Sequence, residues 1–237
     1  MPIYLPELRE DPAWFPPLSK ALAEPDGLLA IGGDLTVARL IQAYRNAIFP
    51  WFAEEDPLLW WSPSTRAVFE PHQLQLNRSL RKYLKQQQYH FSCNKAFAEV
   101  VAECAAPRHS QSGTWIVPQM QQAYLALHKA GIAHSIEVWR DDKLVGGLYG
   151  LTIGGLFCGE SMFNREANTA KLALVMLQQQ LHTYSAGWID CQMPNPFLLQ
   201  LGVKPLPRAA YISLLNQLKD DPVPAQCWLA RELELSL

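Results

Sequence analysis

The sequence predicts an α+β (mixed α/β) chain in which a small N-terminal domain precedes a larger one built on antiparallel strands. Three observations predict it. Apolar residues recur with a helical period in several separate stretches, three consecutive stretches alternate with the period of a strand, and short turn signals part them. The order is helices, then the strand trio, then helix, strand and helix, which is not the alternation of a regular βαβ array.

Residues 1–26 carry Pro2, Pro6, Pro12, Pro16, Pro17 and Pro25, so an extended segment lying on other structure is expected. The apolar run Leu28-Leu29-Ala30-Ile31 ends at Gly32-Gly33. Asp34 or Thr36 then caps a helix whose apolar positions are Val37, Leu40, Ile41 and Tyr44. It stops before Phe49-Pro50. Trp51 to Pro63 holds three tryptophans and shows no period, which places the domain boundary near residue 63 and gives domains 1–63 and 64–237.

Beyond the boundary, Asn77 or Ser79 starts a basic helix that runs through Gln87. Tyr89, Phe91 and Cys93 alternate as a strand, and Asn94 caps a helix carrying Phe97, Val100, Val101 and Cys104. Pro118 suits the first turn of another helix, which Gly131 ends. Strands follow over His134–Arg140, Lys143–Leu151 and Gly155–Phe163, turned by Asp141-Asp142 and Ile153-Gly154-Gly155. A long helix over Asn168–Tyr184, a strand over Trp188–Gln192 and a helix over Pro207–Leu218 complete the chain.

Composition bounds the function. The 237 residues are 49% apolar, ample for a real core. A net charge of −2 argues against a protein that coats nucleic acid nonspecifically, though it leaves room for a local basic patch. Cys93, Cys104, Cys158, Cys191 and Cys227 include no C-x-x-C pair, which fits buried thiols in a reducing cytosol. Met1-Pro2-Ile3-Tyr4-Leu5 has no basic lead, so no signal peptide is expected. No stretch approaches the ~18 apolar residues of a membrane span, and a cytoplasmic protein with no membrane partner is expected.

Several chemistries lack their motifs. There is no G-x-x-x-x-G-K-[ST] for a phosphate loop. Gly146, Gly147 and Gly150 lack the spacing of a dinucleotide fingerprint. The six histidines show neither H-E-x-x-H nor cysteine companions at zinc spacing. No metal and no cofactor is expected. Cys158 and Cys191 sit within apolar strand patterns and are expected to be buried and inert.

Two strands carry carboxylates among apolar residues. Alternation puts Asp190 and Gln192 on one face and Ile189 and Cys191 on the other. It puts Glu160 with Cys158 and Met162, opposite Phe157, Gly159, Ser161 and Phe163. A carboxylate among such neighbours is costly without a partner. Pattern alone favours a nearby arginine or a helix cap; two carboxylates plus an amide also raise the odds of a site.

Seven strings, in order from about residue 24 to 217, resemble the leucyl/phenylalanyl-tRNA–protein transferase family. They are Gly27-Leu28-Leu29-Ala30-Ile31-Gly32-Gly33-Asp34-Leu35, Ile48-Phe49-Pro50-Trp51-Phe52, Leu59-Trp60-Trp61-Ser62-Pro63, Gly113-Thr114-Trp115-Ile116, His134-Ser135-Ile136-Glu137-Val138-Trp139, Leu156-Phe157-Cys158-Gly159-Glu160-Ser161-Met162-Phe163 and Ile189-Asp190-Cys191-Gln192. Any one is weak; the ordered set is very specific.

The resemblance implies a C-terminal domain of the acetyltransferase (GNAT) fold. It implies transfer of leucine or phenylalanine, less often methionine, from aminoacyl-tRNA to proteins beginning with arginine or lysine, marking them for the bacterial N-end degradation route. Neither ATP nor metal is needed, because the aminoacyl ester is already activated. The resemblance suggests that Gln192 faces the attacking amine, with Asp190 to orient it and supply the electrostatic part, and Glu160 to receive the acceptor's cation or α-amine. Asn195 supports that geometry. By the same resemblance Leu148, Phe157, Met176 and Ile189 are expected to line the side-chain pocket, and Trp51 and Trp115 to stack on the terminal adenine. Arg78, Lys82 and Lys85, on one helical face, meet the tRNA backbone. A monomer is expected.

The chain departs from the family's pattern at several points. Leu148 stands for methionine, Met176 for a frequent phenylalanine, Gln86 for a basic residue and Phe197 for a usual histidine. A CoA-dependent acetyltransferase of the same fold would show a Q/R-x-x-G-x-G/A loop at a helix start, which is missing. A noncatalytic tRNA or N-terminus binding module would not need Asp190, Gln192 and Glu160 together.

Overall fold

A computed structural model describes residues 4–74, 78–86, 89–107 and 115–235. The N-terminal part contains β1 (Leu28–Ile31), α1 (Val37–Arg45), β2 (Phe49–Pro50) and β3 (Leu59–Trp61), with the three strands in one antiparallel sheet of order β1-β3-β2. Thr36 caps α1 by accepting from the Arg39 amide at 3.3 Å. Asp34 instead braces that cap, accepting from the Thr36 amide at 2.9 Å and from the Arg39 guanidinium at 3.1 Å.

The remainder runs β4 (Thr65–Phe69), α2 (Arg78–Gln86), β5 (His90–Cys93), α3 (Phe97–Ala105), α4 (Pro118–Lys129), β6 (Ala133–Arg140), β7 (Lys143–Ile153), β8 (Leu156–Asn164), α5 (Thr169–Thr183), β9 (Trp188–Asp190), α6 (Pro196–Gln200), β10 (Lys204–Pro207), α7 (Arg208–Leu218) and β11 (Arg231–Leu233). Eight of these strands form one sheet of order β10-β4-β9-β8-β7-β6-β5-β11. Its pairs are antiparallel except β8 with β9, which α5 connects. The chain is thus a mixed α/β protein.

Local chemistry sets the hairpins. Asp141 and Asp142 both take left-handed backbone (φ 48° and 61°), the two-residue turn that matches strand twist. Gly154, at φ 58°, turns β7 into β8 where a Cβ would lie 2.0 Å from the Leu218 carbonyl oxygen, so only glycine fits. Pro118 opens α4 and Gly131 (φ 73°) follows its end.

Asn94 does not cap α3 as expected. It is itself left-handed at φ 54°, and its side chain accepts from the Ser135 amide at 2.8 Å and donates to the Trp228 carbonyl at 2.7 Å. The buried carboxylate of Glu137 receives the Lys95 amide at the start of that helix instead, at 3.4 Å.

The large sheet has a core on each face. On one, Leu40, Tyr44 and Trp60 of the N-terminal part pack in the same cluster as Val100, Tyr124 and Leu151. On the other, α5 lays Leu172, Met176 and Leu177 beside Phe157 and Ile189. The sheets divide between Trp61 and Thr65, yet the first of these cores is common to both. Among the described residues, no helix is long and apolar enough to cross a membrane.

Candidate active site

A cavity of about 900 Å³ opens beside β8 and β9, where the two strands stop pairing. The last parallel partners are Cys158 and Asp190, whereas β8 continues to Asn164. Leu148, Phe157, Leu174, Leu177, Ile189 and Leu198 give the cavity apolar walls; Trp51, Trp115 and Phe197 also line it. Glu160, Gln192 and Asn195 bring polar groups to it.

Two breaks in strand geometry aim the polar pair. The β7–β8 register shifts between Tyr149 and Gly150, opposite Ser161 and Gly159, which leaves Glu160 as the extra residue of a bulge. Side-chain parity therefore changes there. Cys158 and Glu160 share one face, but Met162 packs with Leu148 on the other, against the alternation expected from sequence. The second break is at Gln192. β9 ends at Asp190, and Gln192 adopts left-handed backbone (φ 54°), so it joins Ile189 and Cys191 at the cavity instead of sharing a face with Asp190.

Glu160 is the centre of a hydroxyl and amide cage. Its Oε1 accepts from the Tyr44 hydroxyl at 2.8 Å and from Gln192 Nε2 at 3.1 Å, and its Oε2 accepts from the Tyr124 hydroxyl at 2.5 Å. The two hydroxyls lie 3.2 Å apart. Burial pushes the Glu160 carboxyl up to about 7, against the pull of the two tyrosine hydrogen bonds. Burial and the Glu160 charge hold both phenols well above their ordinary value, so they remain donors.

Asp190 does not reach the cavity. It is fully buried and paired with Arg66, whose Nε donates to Oδ1 at 3.2 Å and whose Nη2 donates to Oδ2. The Tyr211 hydroxyl donates to the same Oδ2 at 2.9 Å. Burial alone would lower the Arg66 pKa; the Asp190 carboxylate outweighs it and holds the guanidinium above its ordinary value. Asp190 reaches Gln192 only through the Gln192 backbone amide, 3.1 Å from Oδ1. Its charge is matched by an arginine, as the strand pattern alone favours, and it fixes the turn that aims Gln192.

Met176 also lies away from the cavity. On α5, Ala170, Leu174 and Leu177 face the cavity with the spacing of one helical side, while Met176 points into the core with 1% of its surface exposed. Asn195 caps α6 by accepting from the Leu198 amide at 2.9 Å. Trp51 is 38% exposed and is braced edge-on by Trp61 at 5.4 Å, whose indole N–H donates to the Trp51 carbonyl at 2.6 Å. Cys191 lies past the end of β9 and lines the cavity, not a strand interior; burial pushes its thiol, like that of Cys158, upward, so both stay protonated.

Arg78 and Lys82 are exposed on α2. The side chains of Lys85 and Gln86, together with Asn77, Gln87 and the Gly113-Thr114 part of its string, lie outside the described residues. Sequence reasoning misses Tyr44, Tyr124, Arg66, Tyr211, Leu174 and Leu177. Tyr44 reads as an apolar helix position, and Thr65–Phe69 carries no clear strand pattern. The one signal is the demand of a buried carboxylate for a partner.

A largely apolar cleft with a carboxylate and an amide on its wall is the kind of site a group-transfer enzyme uses. Sequence comparison gives the particular kind. The profile described as leucyl/phenylalanyl-tRNA protein transferase matches residues 68–216, and that of its N-terminal domain matches residues 33–64. Similar proteins, each named leucyl/phenylalanyl-tRNA–protein transferase, come from Shewanella piezotolerans (53% identical, 97% of this chain and 98% of the relative), Tolumonas auensis (52%, 99% and 100%) and Shewanella oneidensis (54%, 94% and 94%). The chain belongs to the leucyl/phenylalanyl-tRNA–protein transferase family. It is an aminoacyltransferase, carrying an aminoacyl group from tRNA to protein.

Proposed function

We propose that the enzyme moves leucine or phenylalanine, and less often methionine, to the α-amine of proteins beginning with arginine or lysine, as the mark of the N-end degradation route. It does so as a cytoplasmic monomer without a cofactor, with an N-terminal domain to residue 63 and a GNAT-like acyltransferase domain after it. The observation that carries this reading is the Glu160–Gln192 hydrogen bond at 3.1 Å on the wall of a largely apolar cavity.

The reaction forms a C–N bond to the ester carbonyl carbon and breaks the C–O bond to the ribose, releasing tRNA. The attacking α-amine has a reference pKa of about 7.7–8.0, so a mild base suffices. Glu160, near 7, is matched to take the proton that the ammonium loses, or to hold the acceptor's cation before attack. Gln192 fixes the carboxylate and presents its amide to the same space. Asp190, with its charge matched by Arg66, acts as a positioning residue. Leu148, Phe157, Ile189 and Leu177 hold the side chain of the donor amino acid, Trp51 and Trp115 stack on its adenine, and Asn195 orders that rim. Arg78, Lys82 and Lys85 hold tRNA phosphates.

One incubation tests the reading: radiolabelled leucyl-tRNA with a peptide starting in arginine, beside the same peptide starting in alanine. Label is expected on the first peptide alone. Label on both, or on neither, would overturn the acceptor assignment.

A further inference from the structure

We propose that a groove beside the cavity holds the nucleotide that precedes the terminal adenosine of the donor tRNA, with its base on the ring of Phe197 and its phosphate at Lys171. The proposal rests on the family's aminoacyl-tRNA donor and on the cavity as the place of the aminoacyl-adenosine.

The groove, of about 360 Å³, is bounded by Leu74, Leu80, Lys171, Leu174, Val175 and Phe197. Leu174 and Phe197 also line the main cavity, so a strand that leaves the cavity over Phe197 enters the groove directly. Phe197, at the start of α6, is 39% exposed, so part of its ring is open to a ligand. The Lys171 ammonium lies over that ring, 5.8 Å from its centre, and makes no ion pair among the described residues. A part-exposed aromatic ring with a cation over it supplies the two groups by which single-stranded nucleic acid is held, base on ring and phosphate on cation.

Charge selects the occupant. Leu80 brings the groove to α2, whose sequence RSLRKYLKQ carries no acidic residue and which exposes Arg78 and Lys82. A polyanionic strand is drawn along this path. An acceptor polypeptide bearing an α-ammonium and a basic first side chain is repelled by it.

The experiment compares two minimal donors, 3′-leucyl-adenosine and a 3′-leucyl-CCA trinucleotide, with one arginine-initiated peptide as acceptor. Phe197→Leu and Lys171→Gln are expected to lower the trinucleotide-to-adenosine ratio of kcat/KM about 10-fold, within the range one stacked base commands. Phe197→Tyr and Lys171→Arg, which keep ring and charge, are expected to retain the wild-type ratio. Both sites are part-exposed, and melting temperatures confirm that each variant folds. An unchanged ratio in the first pair overturns the proposal. So does a raised KM for the peptide with the donor ratio intact, which would give the groove to the acceptor. A wild-type enzyme that uses full-length leucyl-tRNA but favours neither minimal donor over the other overturns the groove alone; one that uses no donor removes the aminoacyl-transfer reading beneath it.

Discussion

Gln192 Nε2 donates to Glu160 Oε1 across 3.1 Å, and each residue lies two positions past the last parallel pair, Cys158 with Asp190. Pairing stops there because both chains leave regular strand geometry at once, one by a bulge and one by a left-handed turn. The same divergence that opens the cavity brings the amide and the carboxylate together at its wall. The polar pair and the space beside it are one structural event.

Glu160 titrates near neutrality because of burial, and two outcomes follow. With the base ionised, kcat/KM for transfer rises through a group near 7; in Glu160→Gln that inflection disappears, leaving only the amine's, while activity falls about 10²-fold or more. The stability effect runs the opposite way. Below the unfolded value of 4.5 both states hold the proton; from there to about 7 the unfolded chain releases it first, so the wild type loses stability as pH rises. Glu160→Gln should therefore gain on the wild type between pH 4 and 8 in thermal melts. A constant difference would show that burial does not set this carboxyl.

Asp190 and Arg66 form a buried pair, and breaking one side strands the other. Arg66→Met is expected to cost about 3–5 kcal/mol in urea titrations, most of which Arg66→Met with Asp190→Leu recovers. Turnover should not recover, because the Gln192 amide has lost its acceptor. Asp190→Asn, the milder change, should lower kcat far more than it weakens tRNA binding. Full turnover in the double variant would remove Asp190 from positioning Gln192.

Much of this fold is legible in the sequence because its signals are local. Thr36, Pro118, Gly131 and the Asp141-Asp142 turn each mark an element boundary through their own backbone preference. Glu160 and Gln192 can be singled out for the same reason: polar residues stand out in apolar runs. Their direction cannot, since alternation holds only while a strand stays regular, and the bulge and the φ of 54° lie at these two positions. Arg66, Tyr44 and Tyr124 escape notice because each meets its carboxylate across 36 to 124 residues of chain, a distance that pattern does not carry. Resemblance places Met176 in the pocket; the helix turns Leu174 and Leu177 there instead.

That last difference is open to test. Leu148 lines the cavity and Met176 does not, though both are core residues with 2% and 1% of their surface exposed. Truncating either to alanine should cost a similar 2–5 kcal/mol, roughly. Only Leu148→Ala should shift the ratio of phenylalanyl to leucyl transfer, by about 10-fold or more toward the larger side chain. Equal shifts in competition assays with both charged tRNAs would return Met176 to the pocket wall.

In the proposed reading the α2 cations meet the tRNA backbone through charge rather than shape, so the expected signature is the salt dependence of binding. Arg78 and Lys82 are four residues apart on one side of α2, both exposed, in a helix with no acidic residue to neutralise them. Each phosphate that is no longer neutralised should flatten the slope of log K against log salt by about 0.7–0.9. Arg78→Ala with Lys82→Ala is therefore expected to weaken tRNA binding most at low salt, to reduce the slope by roughly 1.4–1.8, and to leave stability within about 0.5 kcal/mol, as surface changes do. Because phosphates carry no base information, the loss should be equal for leucyl- and phenylalanyl-tRNA. Filter-binding titrations across a salt series decide it. An unaltered slope would leave the donor held by the cavity alone, and a loss confined to one tRNA would mean that these side chains read bases instead of phosphates.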